Sequence, residues 1–133
     1  MFVKSKKITC LVLVLFSAFV IMSGCKKEIA TGDTVKIEII LKNSVTSYEK
    51  THEIQTDLKK LGDILAEEEF VTMKNSEFGR YITAVNGYEP DFAKEEWWQV
   101  YVNGESSSVG VDMVEVKEGD KIELVLTVGF DNM

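Results

Sequence analysis

The 133-residue chain has two cysteines, one histidine and one proline. Both cysteines, Cys10 and Cys25, fall within the first 25 residues. Everything beyond them lacks a thiol, so that part can form no disulfide and has no cysteine nucleophile or ligand. With His52 the single histidine, a zinc site of the usual Cys/His composition has too few donors. No serine stands in a G-x-S-x-G context, and no glycine-rich phosphate loop occurs. Glu67, Glu68 and Glu69 read as a solvated run at a helix end. Asp112, Glu115, Glu118 and Asp120 have no EF-hand spacing and read as solvated acids, not a calcium loop. We expect no catalytic residues, no resident metal and no enzymatic activity. Positive charge is also scarce, with 15 Lys and Arg against 22 Asp and Glu. Because DNA and RNA binding rests on neutralising phosphates with Lys and Arg, nucleic acid is not an expected partner.

What is present at the N-terminus gives an address. Lys4, Lys6 and Lys7 precede an apolar run from Ile8 to Ile21, interrupted only by Thr9, Cys10 and Ser17. A positive leader, an apolar run of about 7–15 residues and a small-residue cleavage site describe a secretory signal peptide. The run is short for a membrane span, which needs about 20 residues. Met22-Ser23-Gly24-Cys25 resembles the lipobox of bacterial lipoproteins, with Met in place of the usual Leu. That resemblance implies cleavage before Cys25 and acylation of it, giving a domain anchored on the extracytoplasmic face of the cell membrane. The expected organisation is a signal peptide at 1–24, a lipidated cysteine and tether at 25–33, and a folded domain at 34–133. Without the three leader lysines the chain carries a net charge of about −10.

Within that domain Val35, Ile37, Ile39 and Leu41 alternate with charged residues, a period of two that predicts a strand with one buried face. Asn43-Ser44 begins a turn, and Tyr48 to Ile54 reads as a second strand paired with the first. Thr56-Asp57 offers a helix N-cap, and Leu58, Leu61, Ile64 and Leu65 share one face, predicting a helix from about Asp57 to Glu69. Phe70 to Ser76 stays unassigned. Tyr81–Val85 and Trp97–Val102 read as strands closed by Asn86-Gly87 and Asn103-Gly104, both strong hairpin-turn signals. The loop between them carries Pro90, and Lys117 to Asp120 turns into a final strand around Ile122, Leu124, Leu126 and Val128. One helix on a mixed sheet of about five strands is an α+β, β-grasp-like arrangement.

Leu61-Gly62-Asp63-Ile64-Leu65, Tyr81 to Gly87, Trp98 with Tyr101-Val102-Asn103-Gly104, Gly110 and Glu118-Gly119-Asp120 occur in an order that resembles the transcobalamin-like C-terminal domain. The resemblance covers about Val35 to Thr127. In the animal cobalamin carriers such a domain closes over one face of the corrinoid while a helical domain holds the other. The resemblance therefore implies cobalamin or a related corrinoid as ligand and a membrane uptake system as partner. The alternative is a surface adaptor that binds another envelope protein and no small molecule.

Strand alternation puts Trp98, Val100 and Val102 on one face and Trp97, Gln99 and Tyr101 on the other. Either all three aromatics pack the sheet, or Trp97 and Tyr101 stand partly open with Tyr88 and Phe92 and line a slot for a flat apolar ligand. The loop from Gly104 to Gly110 is either solvated or supplies donors to ligand amides and phosphates. The candidate ligand-binding set is Tyr88, Phe92, Trp97, Trp98, Tyr101, Asn103 and Ser107.

Overall fold

The computed structural model describes residues 33–131. The expected signal peptide, Cys25 and all but the last residue of the expected tether lie outside the described residues. The alternation read from the sequence appears as β1 (Val35–Asn43), which buries Ile37, Ile39 and Leu41 and turns Lys36, Glu38 and Lys42 outward. β2 (Tyr48–Thr56) pairs antiparallel with it, Asn43 facing Tyr48 at the turn. The other elements are α1 (Leu61–Glu67), β3 (Val71–Ser76), β4 (Gly79–Val85), β5 (Glu96–Val102), the short β6 (Glu105–Ser106) and β7 (Lys121–Val128). The main sheet has the order β2-β1-β7-β5-β6, with β1 and β7 parallel at its centre. This is the expected α+β class, one helix on a mixed five-stranded sheet. Leu61, Ile64 and Leu65 of α1 pack on Ile37, Ile39, Leu41, Ile122 and Leu124.

One expectation needs correction. The helix begins at Leu61, not at Asp57, and ends at Glu67. Its N-cap is Lys60, with no side-chain cap, while the Thr56 hydroxyl accepts only from the Leu58 amide at 3.1 Å. The cause is non-local. Residues ahead of the helix are drawn out to pair with the stretch before β7: Leu61 N–H donates to the Val114 carbonyl and Val116 N–H to the Lys59 carbonyl, both at 2.9 Å. Each of those amide hydrogen bonds competes with the turn of helix that propensity favours. The unassigned stretch after Phe70 is a strand, and β3 with β4 forms a second two-stranded sheet.

A charged clamp joins α1, the β3–β4 hairpin and the 3₁₀ turn at Val111–Met113. Arg80 donates through Nε to Asp112 Oδ1 (2.7 Å) and through Nη2 to Asp63 Oδ1 (2.6 Å), while its backbone N–H meets Asp112 Oδ2 (2.7 Å). The side-chain hydrogen bond from Arg80, and then its backbone one, holds the Asp112 carboxyl below its ordinary value of 3.8. A depressed carboxyl stabilises the fold above its ordinary pKa, and that stability is lost as pH falls through the lowered value. Asp112→Asn should therefore cost about 1–2 kcal/mol at pH 7. In thermal melts the gap between variant and wild type should shrink below pH 3.8. A gap independent of pH would mean that the charge of Asp112 is not what stabilises.

Candidate ligand-binding site

Seven residues make α1 only about 10 Å long, too short to cover the whole core face of the sheet. The uncovered end is the row where β1 stops. In the ladder registers Tyr48 faces Asn43, Asn43 faces Leu126, and Leu126 faces Trp98. This row crosses four strands, roughly 14 Å at 4.8 Å per strand. Over it hangs the tight turn after β4. Asn86 (φ 50°) and Gly87 (φ 76°) both have positive φ, the conformation that Asn-Gly adopts in a two-residue hairpin turn. Val85 and Tyr88 bond each other across it at 3.0 and 3.2 Å. The result is a cleft of about 310 Å³, lined by Asn43, Thr46, Tyr48, Asn86, Tyr88 and Trp98 among others.

The aromatic walls are held in place. The Trp98 indole N–H donates to the Tyr88 carbonyl at 3.3 Å, and the two rings meet edge to face with centroids 6.4 Å apart. The Tyr88 hydroxyl donates to Glu96 Oε2 at 2.9 Å, and the same oxygen accepts from the Asp91 amide at 2.9 Å. Glu96 is only 4% exposed. The hydrogen bond to Glu96, and next the desolvation of the phenol, raises the Tyr88 pKa above its ordinary value. Tyr88 thus stays a neutral ring at physiological pH, suited to contact an apolar surface.

The structure separates the residues grouped from the sequence. Tyr88 and Trp98 wall the cleft, whereas Trp97 and Tyr101 point to the opposite face of the sheet. The single slot lined by Tyr88, Trp97 and Tyr101 is not formed, because neighbouring residues of a strand face opposite ways. On that opposite face the Trp97 indole donates to the Gly129 carbonyl at 3.0 Å, and the Tyr101 hydroxyl donates to Gln99 Oε1 at 3.1 Å. Gln99 in turn bonds Ser106 and is buried. Among the described residues no helix lies across this face. Phe92 packs against Phe130, ring centroids 4.9 Å apart, and remains 75% exposed.

Asn103 and Ser107 belong to a separate hollow of about 530 Å³ toward the other end of β5. Asn103 braces its turn, donating to Asp120 Oδ1 and accepting from the Lys121 amide, both at 2.9 Å. The Ser107 hydroxyl is taken up by the Val109 carbonyl at 2.9 Å. His52 stacks on Phe70 with centroids 4.2 Å apart, and its Nε2 is buried without a partner. Sequence reasoning missed Asn43, Thr46, Tyr48 and Asn86 as cleft residues. No local signal marks them, because it is the parallel pairing of the first and last strands that brings the end of β1 level with Trp98.

The profile of a family described as a domain of unknown function, DUF4430, matches residues 59–127. The chain belongs to the DUF4430 family. No curated protein matches it. Among solved structures, a protein of Ruminococcus gnavus ATCC 29149 provisionally described as metal-binding is 31% identical, with a TM-score of 0.68 over 72% of this chain and 99% of that one. Haptocorrin in complex with Cbi is similar at 15% identity and a TM-score of 0.59, over 71% of this chain. The match spans 25% of haptocorrin, and at that identity it establishes the shared fold alone. The chain therefore corresponds to nearly the whole of the bacterial relative and to one part of the longer haptocorrin chain.

Proposed function

We propose that this DUF4430 protein is a non-enzymatic, lipid-anchored binding domain on the extracytoplasmic face of the cell membrane. Its cleft takes one face of a flat, corrinoid-type ligand on behalf of a membrane uptake system. The observation that carries this reading is the cleft itself, an aromatic-walled opening over the row of the sheet where β1 ends. Flat apolar walls with a few polar groups are the usual make-up of a small-molecule site. The likeness to haptocorrin, solved with Cbi, supports the choice of ligand class. The resemblance of Met22–Cys25 to a lipobox supports the anchor.

Metal binding, the description given to the Ruminococcus relative, finds no donor set in this chain's described residues. No group of three or more His, Cys, Asp or Glu among them could hold an ion. Asp63 and Asp112, two acids that the fold brings together, are both engaged by Arg80.

The test is a titration of residues 26–133 with cobinamide and cobalamin, followed by calorimetry and by tryptophan fluorescence corrected for ligand absorption. Saturable binding is expected, weakened at least about tenfold by Trp98→Ala, equivalent to about 1.4 kcal/mol. Trp97→Ala, on the opposite face, should leave it unchanged. A melting curve for each variant separates lost binding from lost fold. No heat and no quenching up to high micromolar ligand would remove the corrinoid reading.

A further inference from the structure

We infer that Asn43 is a hydrogen-bond donor of the cleft, and that the ligand held there presents a neutral carbonyl oxygen, as in a carboxamide, at the edge of its flat face. This rests on the reading of the cleft as a ligand site. Asn43 ends β1 and is 5% exposed. Its Oδ1 accepts from the Val45 and Thr46 amides at 3.0 and 3.1 Å, which closes the loop to β2. Two N–H groups aimed at one atom require an acceptor, so that atom is the oxygen and the other is the amide nitrogen. That nitrogen, with two protons to donate, has no partner among the described residues. Yet it is not sealed in, since His52 Nε2 is the one unpartnered side-chain nitrogen or oxygen fully closed off among those residues. The open space beside Asn43 is the cleft that it lines. Solvent in the open cleft can meet that donor, and an acceptor on a ligand takes the place of the water there.

The neighbouring groups narrow the chemistry. Of the other donors around the cleft, the Tyr88 hydroxyl is committed to Glu96 and the Trp98 indole N–H to the Tyr88 carbonyl. The Tyr48 hydroxyl, on the residue facing Asn43, has no partner among the described residues and supplies a further donor, as do the Thr46 hydroxyl and the Asn86 side-chain amide. Among the described residues lining the cleft the one cation is Lys42, which Glu123 engages at 2.7 Å. With no free cation among those residues and a chain of net negative charge, an anionic acceptor is disfavoured. A neutral carbonyl beside an apolar ring fits the donors and the walls together.

The experiment uses residues 26–133, a unit whose counterpart in the Ruminococcus protein makes up 99% of that solved chain. The ¹⁵N-labelled domain is titrated with benzamide, with toluene as the ring lacking an acceptor, and with dicyanocobinamide, while the Asn43 side-chain NH₂ signals are followed. Benzamide should move those signals and bind at least about tenfold more tightly than toluene, since a site with a buried donor rejects analogues lacking the matching group. Asn43→Asp keeps an oxygen for the Val45 and Thr46 amides but has no donor. It should melt within a few degrees of wild type and abolish the preference for benzamide. If no probe moves the Asn43 signals, or if Asn43→Asp retains the preference, the assignment is overturned. Benzamide acting through Asn43 with cobinamide inert would sink the corrinoid reading and sustain the donor. Cobinamide binding that ignores Asn43 would do the reverse.

Discussion

Replacing Gly62 by alanine is expected to destabilise the fold by about 1–3 kcal/mol, the usual cost of forcing extra atoms into a packed site. In an open helix the same change would stabilise by up to about 1 kcal/mol, so the sign decides between propensity and packing. A Cβ at Gly62 would stand 2.1 Å from Asp112 Oδ1 and 3.0 Å from Arg80 Nη2. The nearest atom ends a short side chain that Arg80 holds through two hydrogen bonds. It cannot move aside without opening the clamp that ties α1 to the β3–β4 hairpin. Urea denaturation of Gly62→Ala, Asp112→Ala and the double variant measures this coupling. In the Asp112→Ala background the added methyl should become neutral or stabilising. A stabilising Gly62→Ala in the wild-type background would show that the clamp yields freely.

Leu65→Ala should cost about 2–5 kcal/mol, the range for a large aliphatic residue truncated in a core. Leu65 is 0% exposed, and with Leu61 and Ile64 it is one of three side chains that dock α1 on the sheet. A seven-residue helix has no stability of its own in water, so its order depends on those three contacts. The effect should reach beyond the cavity, with amides of α1 exchanging faster in the variant than those of β1 and β7. Denaturant melts and hydrogen exchange together check it. A loss below about 1 kcal/mol with unchanged exchange would mean that the clamp and the Lys59–Leu61 backbone pairing hold the helix without its apolar face.

Local patterns announce much of this fold. The period-two stretches of β1 and β7 appear where the alternation placed them. Asn86-Gly87 and Asn103-Gly104 form turns with positive φ at both residues, because few other pairs adopt that geometry without strain. The helix boundary was misread because its competitor lies far away in the chain. Leu61 bonds Val114, and nothing around Thr56-Asp57 signals it. The candidate site was half legible. Trp98 and Tyr88 stand out as aromatics beside turns, but their separation from Trp97 and Tyr101 depends on which strand face the core claims. Asn43 looks from the sequence like an ordinary turn residue, and its Oδ1 performs that task. Its second role emerges only when β7 brings Leu126 and Trp98 alongside.

The amino-acid sequence by itself determined most of the strands, the tight turns, the lack of any cysteine beyond Cys25, and the α+β class, since each follows from residues within a few positions of one another. Tertiary structure alone decided where the helix starts, which tryptophan borders a cleft and which polar group is left to face it. The physical reason is range. The sheet joins its first and last strands through contacts such as Lys42 to Glu123, 81 positions apart, and a local pattern of hydropathy carries no information about which distant strand arrives beside it.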